Sequence, residues 1–205
     1  MIKLYGHSQS PYSQRVVLIL RELQLEYQYI PIDFEQGEHQ SEEFQLLNPF
    51  GRVPCLKWDG AVISESLAIC RYIVAKVGAA NLYPTNILAR AQSDQWIDYT
   101  NIHLGLALTN LAWHRYWCPL FRIPTDKAHA EKLEKRITKE LPIIERKLAG
   151  HSFFLSDTPK LCDFSFFPQL WVHDKAEISL EAYPRVLNWK MTMAQRDTWK
   201  SILTQ

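Results

Sequence analysis

The first feature of this chain that could do chemistry is a serine followed by a proline at the head of an amphipathic stretch. In LYGHSQSPYSQRVVLILREL the pattern predicts a strand over residues 2–5, a polar turn over 6–10 and a helix from there to Leu23. Ser10 takes the N-cap and Pro11 the first helical position, where a missing N–H is harmless. Val16, Val17, Leu20 and Leu23 recur at helical spacing, so one side is buried and the helix start is held in place. A hydroxyl fixed there can stabilise an anion, because unpaired backbone N–H groups and the helix dipole converge on it. A second helix start of this kind is Glu65-Ser66, ahead of apolar Leu67, Ile69, Cys70 and Ile73. Between the two, Val53-Pro54 opens a strand, where an X-Pro bond is a candidate for the cis form.

The elements that position these residues follow from the pattern around them. Residues 26–33 (EYQYIPID) alternate and are rich in strand formers, and Pro31 confines them to a sheet edge. Residues 34–47 predict a loop leading into an irregular helix, and Asn48-Pro49-Phe50-Gly51-Arg52 a turn. VPCLKW, Asp59-Gly60 and residues 61–64 predict a β-hairpin. A helix from Ser66 to about Val77 completes a βαβαββα unit. After a linker with Gly78 and Pro84, everything reads as helix: 89–117, 127–148 with a bend at Pro142, 161–172, 184–194 and a last turn over 199–203. The expected organisation is an α/β domain at 1–78, a linker at 79–86 and an all-helical domain at 87–205.

Composition narrows the classes. The chain has 205 residues, with 23 Lys and Arg against 22 Asp and Glu, so no net field draws it to nucleic acid or to an acidic membrane surface. No apolar run is long enough to span a bilayer and no signal-peptide pattern opens the chain, so a cytoplasmic location is expected. Cys55, Cys70, Cys118 and Cys162 lie far apart, which suits buried reduced thiols and indicates neither a disulfide framework nor a metal site.

Together these motifs give the chain a resemblance to the cytosolic glutathione transferases, over nearly its whole length and closest to the serine-type phi-like and bacterial group. The motifs that carry it are S-P-Y-S-Q-R-V from Ser10, Gly37-Glu38-His39, Asn48 through Pro54, Glu65-Ser66 and Tyr83-Pro84. The run from Tyr183-Pro184-Arg185-Val186 through Trp199 completes the set. The resemblance implies a thioredoxin-like N-terminal domain followed by a helical bundle. It also implies glutathione as cosubstrate, no metal, an electrophile site between the domains, and a homodimer.

Carried over residue by residue, the resemblance makes Ser10 the group that holds the glutathione sulfur as thiolate. A thiol near pKa 8.5 must drop by about two units, or roughly 2.7 kcal/mol, to be mostly ionised at neutral pH. A helix N-terminus supplies about 0.3 to 1 kcal/mol and a hydrogen bond to a charged acceptor roughly 1.5 to 3, so no general base is needed. The resemblance further assigns Val53, ahead of cis Pro54, to the cysteinyl backbone, Ser66 to the γ-glutamyl carboxylate and Glu65 to its amino group. His39, Gln40 and Arg52 would face the glycyl carboxylate, although Gln40 and Arg52 depart from the phi pattern. Tyr12, Trp113 and Tyr116 are candidate walls of the electrophile site. Tyr5 and Ser8 are rivals of Ser10 for the sulfur, Tyr5 reading rather as a strand side chain.

The expected function is conjugation of glutathione to hydrophobic electrophiles, with peroxidase activity towards organic hydroperoxides compatible with a serine. The alternatives are a noncatalytic binding member of the fold and a glutathione-dependent thiol-disulfide oxidoreductase, which wants cysteine where Ser10 stands. Lys160-Leu161-Cys162-Asp163 lacks the hydroxyl of the family's capping box and keeps its acid.

Overall fold

A computed structural model of the chain describes residues 1–203. The polypeptide divides into two compact units, Met1–Tyr83 joined by the segment that starts at Asp197, and Pro84–Arg196. The second unit therefore ends before the last helix, whereas the expected helical domain ran over 87–205, whose last two residues lie outside those described.

The first unit is built on a four-stranded sheet of order β2-β1-β3-β4, from β1 (Ile2–Gly6), β2 (Tyr27–Pro31), β3 (Cys55–Trp58) and β4 (Ala61–Ser64). β1 pairs parallel with β2 and antiparallel with β3, which pairs antiparallel with β4. Pro31 ends the edge strand, where its missing N–H breaks no ladder. β3 starts two residues later than Val53, because Pro54 has no N–H to give to β1. The hairpin turn has positive φ at both centres, 49° at Asp59 and 85° at Gly60, which suits the right-handed twist of its strands.

Alternation along β1 sends Leu4 to one face of the sheet and Tyr5 to the other. Leu4, opposite Leu56, is buried on the side where α1 (Pro11–Glu22) and α3 (Ser66–Lys76) pack together. Tyr5 joins the second side, a cluster of Ile32, Phe44 and Cys55 backed by Leu47 and Val53. Phe44 comes from α2 (Glu42–Leu47), capped by the Ser41 Oγ, which accepts from the Phe44 N–H at 3.2 Å.

The second unit begins with one continuous helical rod: α4 (Ile87–Tyr99), a π-helical stretch (Thr100–Gly105), α5 (Leu106–Ala112), a second π-helical stretch (Trp113–Trp117) and α6 (Cys118–Leu120). Gly105 is needed where the rod meets α8 (Leu161–Trp171). A Cβ there would fall 2.3 Å from Gln169 Oε1, so the missing side chain of Gly105 leaves room for the buried Gln169 amide. Between them in sequence lies α7 (Lys127–Lys147), which runs unbroken through Pro142 and buries Leu133, Ile137, Leu141 and Ile144 on one face. Glu145 at its end accepts from the Arg185 and Val186 N–H groups, both at 3.0 Å, and so caps α9 (Pro184–Ala194).

The last described element is α10 (Asp197–Leu203), which packs against α1. Arg21 donates to Ser201 Oγ, Thr198 Oγ1 donates to Glu22 at 3.4 Å, and Trp199 is buried.

Candidate functional site

Strand register brings the expected glutathione-site residues to one end of the sheet. Gly6 lies opposite Pro31, Tyr5 opposite Cys55, and Cys55 opposite Ser64. The segments leaving β1 (residues 7–10), leaving β2 (32–41), entering β3 (48–54) and leaving β4 (65–66) therefore all emerge at the same end of the sheet. Ser10, His39, Gln40, Arg52, Val53, Pro54, Glu65 and Ser66 all belong to those segments.

Ser10 is the N-cap of α1. Its Oγ accepts from the Ser13 N–H at 3.3 Å and its own N–H donates to His7 O at 3.0 Å. That cap occupies a lone pair and leaves the hydroxyl hydrogen available to donate outward. Ser8 is exposed, and its carbonyl accepts from Gln14 Nε2 at 2.8 Å. Tyr5 is a strand side chain packed 6.3 Å from the Phe44 ring.

The loop holding Ser10 is tied to the next one by rings that the sequence reading missed. His7 stacks on Phe34 at 4.7 Å with an interplanar angle of 5°, and Phe34 meets His39 edge-on at 4.8 Å. Burial lowers the His7 pKa from its usual value, against a weaker opposing pull from Asp33 and Glu35. Its Nδ1 accepts from the Gln9 N–H at 3.3 Å, which places the proton of the neutral ring on Nε2. No periodic signal marks a loop stack of this kind; only His7 and Phe34 flanking the two loops could have suggested it.

Gly51 brings the far end of the site together. It has φ +59°, and a Cβ there would lie 3.1 Å from His39 O and 3.3 Å from Gln40 Nε2. The turn is closed by Asn48, whose side-chain amide donates to Arg52 O and whose Oδ1 accepts from the Phe50 N–H at 3.2 Å. His39, Gln40 and Arg52 are therefore neighbours, Gln40 and Arg52 exposed and the His39 Nδ1 buried without a hydrogen-bond partner among the described residues.

Val53-Pro54 is cis. At the other helix start the structure departs from the preferred cap: Glu65 is the N-cap of α3 with φ +67°, makes no side-chain cap bond and is exposed, while Ser66 begins the helix and is buried. A non-glycine residue in the left-handed region carries strain that stability alone does not call for, and such strain gathers at ligand sites. The first N–H groups of α3 have no partner within the helix and face the same sheet end as Ser10.

The remaining candidates are placed differently. Tyr12, just inside α1, is half-buried with the Arg15 guanidinium 5.3 Å over its ring. Trp113 and Tyr116 belong to the second unit, on the second π-helical stretch of the rod, and both are exposed rather than core. A cleft of about 630 Å3 between α2 and the Tyr5 and Lys57 side of the sheet is lined by the rival Tyr5 but by neither Ser10 nor any residue assigned to glutathione or the electrophile.

All four cysteines are buried free thiols. Burial pushes Cys70 up to about 12, and its Sγ donates to Arg15 O at 3.8 Å. Among the described residues, no group of His, Cys, Asp and Glu could hold a metal ion and no helix is long and apolar enough to cross a membrane.

Residues 9–76 match the family described as glutathione S-transferase, N-terminal domain, and residues 108–197 its C-terminal domain. Among curated proteins, the chain is 29% identical to glutathione S-transferase PARB of Nicotiana tabacum, over 97% of this chain and 95% of that protein. It is 32% identical to glutathione S-transferase 3 of Zea mays, over 79% and 73% respectively. Among solved structures, it is similar to glutathione transferase F2 of Populus trichocarpa with a TM-score of 0.91 and 28% identity, covering 100% of this chain and 98% of that one.

Proposed function

Because the chain belongs to the glutathione S-transferase family, we propose that it conjugates the glutathione thiolate to hydrophobic electrophiles, with Ser10 as the catalytic residue. The observation that carries this reading is the Ser10 hydroxyl at the N-terminus of α1, its oxygen accepting from the Ser13 N–H and its hydrogen free to donate. The hydrogen bond and the helix pole both favour the charged form of a sulfur placed there, and burial of the helix behind Ser10 fixes their direction.

The rest of the tripeptide is assigned along the sheet end. Val53, ahead of Pro54, pairs its backbone with the cysteinyl residue. The N-terminus of α3 at Ser66 receives the γ-glutamyl carboxylate, Glu65 its amino group, and His39, Gln40 and Arg52 the glycyl carboxylate. The strained φ of Glu65 and the closure of the Gly51 turn against His39 and Gln40 support those placements. In the reaction the thiolate adds to the electrophilic carbon, the leaving group departs with its electron pair, and the thiol proton goes to solvent.

Tyr12, Trp113 and Tyr116 are assigned to the electrophile. The acting form is a homodimer. Thiol-disulfide exchange is disfavoured because all four cysteines are buried and residue 10 is serine.

Replacing Ser10 by alanine tests the assignment. Turnover of a chlorodinitrobenzene should fall by about tenfold or more, while the KM for glutathione stays within a few-fold. Unchanged turnover would refute the role of Ser10.

A further inference from the structure

The end of the helical rod carries an aromatic surface with a cation laid across it. Trp113, Tyr116, Trp117 and Leu120 follow one another at helical spacing, and Trp113, Tyr116 and Leu120 are 44%, 43% and 60% exposed. Tyr116 and Trp117 meet edge-on at 5.4 Å. The Lys175 ammonium, from the segment after α8, sits 4.8 Å from the Tyr116 ring centroid and 4.6 Å from that of Trp117.

That ammonium has no carboxylate partner among the described residues. The acids nearest it in sequence are engaged elsewhere: Asp174 lies 3.8 Å from Lys190 Nζ, and Glu177 lies 3.8 Å from Arg115 Nε. Glu134, the other acid at this end of the rod, pairs with Arg115 at 2.6 Å. Lys175 is half-buried, and desolvation lowers its pKa with no opposing carboxylate. A cation partly stripped of water, fixed by two ring faces and lacking a counter-ion, gains from an anion brought to it. A tie between segment and helix would need no exposed aromatic face beside it.

We propose that Lys175 selects electrophiles that carry an anionic group, a carboxylate or sulfonate, on an aromatic ring. The ring lies on Trp113 and Tyr116, and the anion meets the ammonium. This rests on the reading of Trp113 and Tyr116 as walls of the electrophile site and adds to it the class of substrate.

The test compares a chloronitrobenzoate with its neutral carboxamide, which has the same reacting carbon, in the wild type, K175Q and K175R. K175Q should lower kcat/KM for the benzoate by about tenfold and leave the carboxamide within about twofold, while K175R keeps most of the benzoate rate. Parallel loss of both substrates in K175Q, or no loss of either, overturns the proposal and leaves conjugation itself standing. If neither substrate is turned over, the conjugation reading has failed and the proposal is decided by binding alone. Tryptophan fluorescence should then show the benzoate bound about tenfold more weakly by K175Q than by the wild type. Equal or undetectable binding in the two proteins overturns it.

Discussion

On the proposed reading the Ser10 hydroxyl both caps α1 and acidifies the glutathione thiol, and stability and turnover report the two roles separately. Its oxygen caps α1 through the Ser13 N–H, so Ser10→Ala should cost about 1 kcal/mol of stability as well as turnover. Tyr5 offers a clean control. Its ring packs on Phe44, so Tyr5→Phe should leave conjugation within about twofold of wild type, and a loss as large as that of Ser10→Ala would move the sulfur's partner to the tyrosine. Residue types announced Ser10, because a Ser-Pro pair before an apolar periodicity has a mechanical meaning. They could not announce His7 and Phe34, whose stacking with His39 depends on two loops meeting in space.

At the scale of elements, the start of α8 shows how a missing cap is offset. The acid of the capping box is kept: Asp163 Oδ2 accepts from the Lys160 N–H at 2.8 Å. Its Oδ1 accepts from Phe154 N at 3.0 Å and Trp189 Nε1 at 2.8 Å, so one buried carboxylate holds a loop, a helix start and α9 together. Lys160 supplies no side-chain oxygen to complete the box. Lys160→Thr should therefore raise the unfolding free energy by about 0.5 to 1 kcal/mol, read as a higher urea midpoint at unchanged m. Behind the same helix lies a titratable pair. His173 is buried, its Nδ1 bonds Ile178 O at 2.7 Å and its Nε2 meets the Lys190 ammonium. Burial lowers the His173 pKa below its usual 6.5, helped by the Lys190 charge and outweighing the opposing hydrogen bond to Ile178 and the Asp174 carboxylate. The unfolded chain then binds the extra proton first, so this contribution is full above about pH 6.5 and is lost as pH falls through that value towards the folded pKa. Urea midpoints should drop between about pH 7 and pH 5, and His173→Gln should flatten that drop; an unchanged slope would rule the pair out as its source. The Asp59-Gly60 hairpin, the edge strand ended by Pro31 and the buried stripe of α7 were all legible as patterns. The two π-helical stretches were not, because one extra residue per turn leaves an apolar periodicity nearly intact.

At the scale of the molecule, the site is a product of strand order. Four segments distant in sequence share one sheet end because β1 lies between β2 and β3, and the sequence signals each segment but not the pairing that gathers them. The same limit explains α10: its sequence reads as one more helix of the second unit, and only tertiary packing assigns it to α1. The proposed homodimer predicts a sedimentation mass of twice the 24.0 kDa chain, and a single chain mass at working concentration would remove it. What decides the role of Ser10, however, is the acidity of one proton. Titrating the glutathione thiol in its complex, by ultraviolet absorbance of the thiolate, should give a pKa about two units below the free value near 8.5 for the wild type. With Ser10→Ala it should return most of the way to the free value, whereas a bound thiol as weakly acidic as the free one, or equally acidified in both proteins, would contradict the account.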